Sequence, residues 1–319
     1  MMNFWDKKKI LVTGGTGFLG SFVVDRLIRE KKVRKENIKV PRSTNTDLRK
    51  WEKCVEVIKD VDIVIHLAGK GGGIEYNRKY PGLLFYDNIV MNSQLMEAAR
   101  QEGVEKFVGI GTVCSYPKYV AVPFKEESLW DGYPEETNAA YGLSKKMMLV
   151  QSQAYRQQYG FNAIHLLLVN LYGPRDNFSL ESSHVIPALI RKFVEAVWDN
   201  KEEIVAWGTG KASREFLYVE DAAEAILLAT EKYNKADPVN IGAGKEITIR
   251  ELVNLIVELT GYKGNIVWDT SKPDGQPRRC LDTSKAKKEF SFEAKVGLRE
   301  GLKKTIDWYK NEVLKIKRT

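Results

Sequence analysis

The sequence predicts an α/β fold, a doubly wound parallel sheet with a smaller C-terminal lobe. Three observations carry that expectation. Short apolar runs alternate with helical stretches through the first half of the chain, the pattern of parallel strands joined by crossover helices. The first apolar run passes directly into a glycine-rich turn and then a periodic helix. Beyond Pro174 the alternation loosens into longer polar connections.

The first strand spans residues 9–13 and leads into Gly14-Gly15-Thr16-Gly17-Phe18-Leu19-Gly20, after which Phe22, Val23, Leu27 and Ile28 recur at helical spacing. Glycines permit a tight turn and close backbone approach, and the helix N-terminus presents unpaired N–H groups. Gly14, Gly17, Phe18, Leu19 and Gly20 are therefore expected to cradle the pyrophosphate of a dinucleotide. Further strands are expected at residues 37–40, 62–66, 106–110 and 163–169, separated by helices near 47–59, 86–101 and 141–159. Ligands of such sheets lie beyond the carboxyl ends of the strands. That edge takes in Leu67 and Ala68, the run Gly111 to Cys114, and the run Asn170 to Pro174.

After Pro174 come a loop at 175–183, a helix at 185–197 and the segment Trp207 to Arg214. Residues 216–232 read as a strand and helix returning to the sheet, and 248–260 with 271–279 complete the smaller lobe. The expected division is a dinucleotide-binding domain of residues 1–174, rejoined by 215–244, and a substrate lobe of 175–214 and 245–319. No internal repeat or low-complexity tract interrupts this organisation.

The 319 residues, 43% hydrophobic and 29% charged, suit a globular chain able to bury a sizeable core. The start, Met1 to Asp6 followed by Lys7-Lys8-Lys9, lacks the apolar stretch of a signal peptide, and no run reaches membrane-spanning length. Cys54, Cys114 and Cys280 are few and far apart, which predicts neither disulfides nor a metal site and points to the cytoplasm. The net charge of +8 is spread over Lys7 to Lys9, Lys31 to Lys39 and the tail Lys310 to Arg318. That spread reads as a solvated surface attracting a phosphate-bearing substrate, with no nucleic acid and no membrane as partner.

A reader of a 2′-hydroxyl would be an acidic residue ending the second strand. The segment there is Lys39-Val40-Pro41-Arg42-Ser43-Thr44, whose guanidinium and hydroxyls suit a 2′-phosphate, so Arg42 and Ser43 favour NADP(H). Asp47 and Leu48 are expected to meet the adenine, unless Asp47 caps the following helix.

Tyr141-Gly142-Leu143-Ser144-Lys145 places a phenol and an ammonium on one helical face. The positive charge is expected to make Tyr141 a better acid, and Lys145 also to hold a nicotinamide ribose. That spacing alone is common. Its weight comes from Thr112, at the end of the preceding strand, and from the N-terminal glycines.

With these features the chain resembles the extended short-chain dehydrogenases/reductases that act on nucleotide sugars, whose core is a Rossmann sheet. The similarity runs nearly end to end, through Gly71 to Ile74, Cys114 to Pro117, Asn170 to Phe178, Ser183 to Pro187, Trp207 to Gly210, Arg214 to Phe216 and Lys272 to Arg278. It is closest to the members that are both epimerase and reductase, which implies NADPH-dependent 3,5-epimerisation and 4-reduction of GDP-4-keto-6-deoxy-D-mannose. Hydrogens on C3 and C5 of such a sugar are acidic because the enolate charge falls on O4. The resemblance implies that Thr112 and Tyr141 hold that oxygen, and that Cys114 and His184 form the acid/base pair that inverts carbon. A thiol and an imidazole ordinarily titrate on either side of neutrality. Lys192, Trp207, Arg214 and Lys272 are the expected contacts of the GDP-sugar, and Asn170 either orients substrate or satisfies a turn. A homodimer through the helices 86–101 and 141–159 is also implied.

The chain departs from that family where Lys192 replaces a usual arginine, where Val113 removes a hydroxyl, and where Lys70 adds a charge beside the glycine run. Two other readings stand beside the leading one: an epimerase of another GDP-keto sugar, such as a 6-deoxy-heptose or GDP-mannose, and a noncatalytic nucleotide-binding or RNA-associated protein. His66 and His165, within strands, read as structural.

Overall fold

A computed structural model describes residues 4–179, 182–272 and 274–314. Glu181, beside the expected His184 motif, Pro273 within the Lys272 to Arg278 motif, and Lys315 to Arg318 of the basic tail lie outside the described residues.

In chain order the elements are β1 (Ile10–Thr13), α1 (Phe18–Arg29), β2 (Ile38–Lys39), α2 (Trp51–Ile58), β3 (Ile63–His66), α3 (Ile74–Lys79), α4 (Pro81–Gln101), β4 (Lys106–Thr112), α5 (Ala139–Tyr159), β5 (Ala163–Leu168) and β6 (Asn170–Tyr172). They continue with α6 (Val185–Trp198), β7 (Glu203–Trp207), β8 (Ser213–Tyr218), α7 (Val219–Lys232), β9 (Val239–Ile241), β10 (Glu246–Thr248), α8 (Ile249–Thr260), β11 (Asn265–Asp269), α9 (Ser284–Phe290) and α10 (Leu298–Trp308).

Six parallel strands form the main sheet in the order β2-β1-β3-β4-β5-β9. Both faces are covered, which is why its strands read as continuous apolar runs rather than alternations. Leu11, Val64, Phe107 and Ala163 pack toward α2, α4 and α5. Their neighbours Val12, Ile65, Val108 and Ile164 pack toward α1 and α7. The fold is the doubly wound α/β class that the alternation predicts. A separate core gathers Ile186, Ile190 and Phe193 of α6, Leu252, Val253 and Ile256 of α8, and Leu302 and Ile306 of α10. It lies against a three-stranded sheet, β10-β8-β6, and a parallel pair, β11-β7.

Several elements differ from expectation. The helix expected from residue 86 begins at Pro81, a residue whose fixed φ suits a first helical position, and α3 precedes it. The helix expected from residue 47 begins at Trp51, so Asp47 does not cap it. Its carboxylate is taken by Arg49, through Nε at 2.9 Å and a second guanidinium nitrogen at 2.8 Å. Of the segment expected to return to the main sheet, α7 packs on α1 but β8 joins the small sheet, and β9 supplies the sixth strand. Apolar runs alone cannot say which partner a strand pairs with. The run Asn170 to Tyr172, expected at the ligand edge beyond the 163–169 strand, is itself the short strand β6 paired with β8. No helix among the described residues is long and apolar enough to cross a membrane.

Candidate active site

The carboxyl ends of β1 to β4 converge on one edge. Gly14 takes a left-handed φ of +68°, and a β-carbon on Gly20 would overlap the Gly14 carbonyl, so turn and helix touch where only glycine fits. Gly17 precedes α1, whose first turn has no side-chain cap and no acidic residue. Those free N–H groups, with Phe18 and Leu19 opening the helix, fit a dinucleotide pyrophosphate.

Leu67 and Ala68 form the next wall. A β-carbon on Gly14 would stand 2.9 Å from the Ala68 nitrogen, and that N–H donates to Thr13 Oγ1 at 3.2 Å. His66 supports this wall from within: Nδ1 meets Thr13 Oγ1 at 2.7 Å and Nε2 meets Asn92 Oδ1 at 2.9 Å. Burial drives its pKa down to about 3, so the ring is neutral at physiological pH. Arg42 and Ser43 follow β2, exposed, and among the described residues no group pairs with the Arg42 guanidinium. Leu48 is buried in the core formed with α2 and α4.

Thr112 is the last residue of β4 rather than the first beyond it. It caps the short turn Val113–Ser115, its Oγ1 accepting the Cys114 N–H at 3.2 Å, which leaves the hydroxyl hydrogen for another oxygen. Cys114 sits in that turn, half-buried. The turn packs on α5 at Gly142, where a β-carbon would overlap the Cys114 carbonyl oxygen. Ser115 Oγ donates to the Gly142 carbonyl at 2.8 Å.

Tyr141 and Lys145 stand one turn apart in α5. Burial raises the Tyr141 pKa, with the Cys114 sulfur contributing second. The sequence had suggested that Lys145 would make this phenol more acidic; desolvation is the larger effect, and the phenol is a neutral proton donor. Lys145 is 3% exposed and has no hydrogen-bond partner among the described residues. Its pKa falls to about 8 through burial. A β-carbon on Gly69 would stand 3.1 Å from its Nζ, so the ammonium faces the segment that follows Ala68, where ribose hydroxyls fit.

His184 caps the start of α6 in extended conformation and is exposed. Desolvation by the surrounding protein still lowers its imidazole pKa. The glycine run ties this segment to α5. A β-carbon on Gly71 would contact the Tyr141 ring at 3.4 Å, one on Gly73 would lie 2.8 Å from the Ser183 carbonyl, and the Gly73 N–H donates to Ser182 O at 3.2 Å.

The four expected nucleotide contacts fall together at the edge of the smaller lobe. Trp207 is 50% exposed at the end of β7, with Lys272 Nζ 4.9 Å and Lys192 Nζ 5.8 Å from its ring centre. Lys192 also donates to the Val205 carbonyl at 2.7 Å. Arg214 in β8 donates to the carbonyls of Ser213 at 2.7 Å and Asp274 at 2.9 Å. Burial, and secondly Arg279, lowers its pKa to about 10. Asn170 donates to the Glu215 carbonyl across the β6–β8 pair at 3.1 Å, which engages one amide hydrogen structurally.

Lys70 turns aside from the glycine run and pairs with the buried carboxylate of Asp87, which Arg49 also holds at 2.9 Å. His165 fills the space above Gly109 and Gly111. Sequence reasoning missed Arg279, whose guanidinium donates to Cys114 Sγ at 3.4 Å, and Gln276, which receives Arg279 Nε at 3.1 Å. The only sequence signal was adjacency, since Arg279 directly follows the Lys272 to Arg278 motif.

Comparison with known proteins agrees with this geometry. Residues 10–242 match the model of the NAD dependent epimerase/dehydratase family. The chain is 40% identical over 314 residues to a probable GDP-L-fucose synthase 1 of Oryza sativa subsp. japonica, covering 97% of this chain and 94% of that one. Among solved structures, it is similar to a GDP-6-OMe-4-keto-L-xylo-heptose reductase of C. jejuni, with TM-score 0.90, 25% identity, and 98% and 99% of the two chains covered. A GDP-L-fucose synthetase of Naegleria fowleri bound to NADP gives TM-score 0.84 at 28% identity, covering 98% and 96%.

Proposed function

We propose, for a chain that belongs to the NAD dependent epimerase/dehydratase family, that it converts GDP-4-keto-6-deoxy-D-mannose to GDP-L-fucose by inversion at C3 and C5 followed by reduction at C4. The sequence relatives named for this activity support it. The observation that carries the reading is the backbone contact at Gly142, which seats the turn of Cys114 on the helix of Tyr141, close enough for the sulfur to act electrostatically on the phenol. Inversion needs acid/base groups and reduction needs a proton donor; a pocket holding both serves both.

NADPH supplies hydride to C4 when bound. Gly14, Gly17, Phe18, Leu19 and Gly20 would hold its pyrophosphate, Arg42 and Ser43 its 2′-phosphate, Asp47 and Leu48 its adenine side, and Leu67, Ala68 and Lys145 its nicotinamide half. Lys192, Trp207, Arg214 and Lys272 would hold the GDP moiety, with Asn170 alongside. Cys114 and His184 move the protons at C3 and C5: one removes a proton from carbon while the other delivers one to the opposite face. The electron pair from the broken C–H bond passes to O4, where the Thr112 and Tyr141 hydroxyls stabilise it. In the final step Tyr141 gives its proton to O4.

A homodimer through α4 and α5 suits the exposed Leu83, Phe85, Tyr86 and Val150 on those helices, and a cytoplasmic setting suits three free cysteines. The likeness to the heptose reductase favours a second reading, action on a GDP-linked keto-heptose. Incubating the protein with each keto sugar and NADPH in D2O decides between them. Deuterium at C3 and C5 with NADPH oxidation is expected for the 6-deoxy-mannose substrate. Deuterium exchange without NADPH oxidation would refute the reductase half.

A further inference from the structure

Arg279 is 6% exposed, and among the described residues it has no carboxylate partner. Its hydrogen bonds run to the Gln276 amide oxygen at 3.1 Å and to Cys114 Sγ at 3.4 Å. Gln276 is itself fixed, its amide nitrogen donating to the carbonyls of Pro117 at 3.3 Å and Lys118 at 3.0 Å. The backbone of Arg279 is fixed as well: its carbonyl accepts from Glu215 N at 3.0 Å, and the nearby Leu281 N–H donates to the Glu215 carboxylate at 2.7 Å. A guanidinium cannot shed its proton, and a buried one calls for a counter-charge.

No carboxylate among the described residues touches the guanidinium, whose bonds run to the Gln276 oxygen and the Cys114 sulfur. Arg214 adds a second cation close enough for Arg279 to depress its pKa. Of the nearby carboxylates, Asp274 accepts from the Thr209 backbone at 2.8 Å and the Thr209 hydroxyl at 2.7 Å. Glu135 accepts from Thr137 at 2.5 Å and Asn138 at 2.8 Å. From α5, Tyr141 presents a neutral phenol. The group in contact with Arg279 that can become an anion is the Cys114 sulfur.

We propose that Arg279 holds Cys114 as a thiolate, the proton-accepting form in carbon inversion. The inference rests on Cys114 being one of the two acid/base groups above. In the step, the sulfur lone pair takes the proton from C3 or C5, the S–H bond forms as the C–H bond breaks, and the carbon electron pair moves to O4. Arg279 stays protonated throughout, and negative charge passes from a sulfur it touches to an oxygen held by Thr112 and Tyr141.

The test is the pH dependence of iodoacetamide alkylation, followed on the Cys114 peptide by mass spectrometry in the native protein, Arg279→Lys, Arg279→Gln and Arg279→Ala. Burial pushes Cys54 and Cys280 up to about 12, so their slow background is separable. NADPH fluorescence shows which variants keep the cofactor half intact. In the neutral variants the half-maximal pH is expected to rise by about one unit or more, with Arg279→Lys between them and the native protein. Once the half-maximal pH lies above 7, the rate at pH 7 falls about threefold per further unit, because a more basic thiolate is also more nucleophilic. The rising pH limb of deuterium exchange into the keto sugar moves by the same amount.

An unchanged alkylation profile in either neutral variant that still binds NADPH overturns the inference. If Cys114→Ser nevertheless abolishes exchange, the thiol keeps its role and only Arg279 loses its own. Full exchange in Cys114→Ser overturns both.

Discussion

The carbonyl of Cys114 rests against Gly142 so closely that a β-carbon at position 142 would overlap it. The turn that carries the thiol is thus seated on the helix that carries Tyr141 and Lys145, one residue after the phenol. Gly142→Ala must push backbone against backbone, so it is expected to cost about 1–3 kcal/mol of stability, the usual range for overpacking. Urea denaturation measures that loss. Deuterium exchange and NADPH oxidation should fall together, because both sets of groups are displaced; loss of one alone would show that the contact does not couple them.

Lys145 predicts a stability that depends on pH. Burial lowers its folded pKa to about 8 from the ordinary lysine value of 10.5, so between those values the unfolded chain binds more protons than the folded one. Stability therefore rises with pH through that window and is flat below it, where the full cost of burying the charge remains. The shift corresponds to about 3 kcal/mol. Lys145→Met is expected to stabilise the unliganded protein at pH 7 by up to about that amount and to abolish reduction. A variant no more stable than the native protein at pH 7, and gaining stability across pH 8–10.5 as the native protein does, would contradict this.

The roles of the reacting groups separate in isotope experiments. Tyr141→Phe should lose NADPH oxidation by about two to four orders of magnitude, as expected for a general acid, and deuterium exchange by less, because the Thr112 hydroxyl still holds the enolate oxygen. Cys114→Ser and His184→Gln should lose exchange at C3 or C5 first. Equal exchange in all three variants would remove the assignments.

Arg42 is exposed after β2 without a partner among the described residues, so its replacement costs the folded protein little. Arg42→Ala is expected to weaken NADPH about 10- to 100-fold, the worth of one or two charge-assisted bonds, and to leave NADH almost unchanged. Steady-state KM values for the two cofactors check this, and a parallel rise in both would assign Arg42 no part in the 2′-phosphate.

Much of the fold was legible because its signals are local. The glycine turn between Thr13 and Phe18 states its own geometry, and main-sheet strands buried on both faces announce themselves as apolar runs. The pairing of β8 was not legible, since an apolar strand fits any sheet with a free edge, and the register with β6 and β10 is set by distant chain. Asp47 was ambiguous for a similar reason: a carboxylate before a helix suits a cap, yet the helix starts only at Trp51 and the carboxylate is held by the Arg49 guanidinium and backbone N–H two residues on.

The sequence by itself determined the doubly wound class, the turn that would take a dinucleotide, and the spacing of Tyr141 and Lys145, all of which follow from neighbours within a few residues. Tertiary structure decided what surrounds the reacting groups. It half-buried Tyr141 and buried Lys145, so that desolvation rather than their mutual charge governs the phenol. It also set Arg279 against Cys114, which lies 165 positions away in the chain. Burial and such contacts depend on the packed whole, and no local pattern of side chains encodes them.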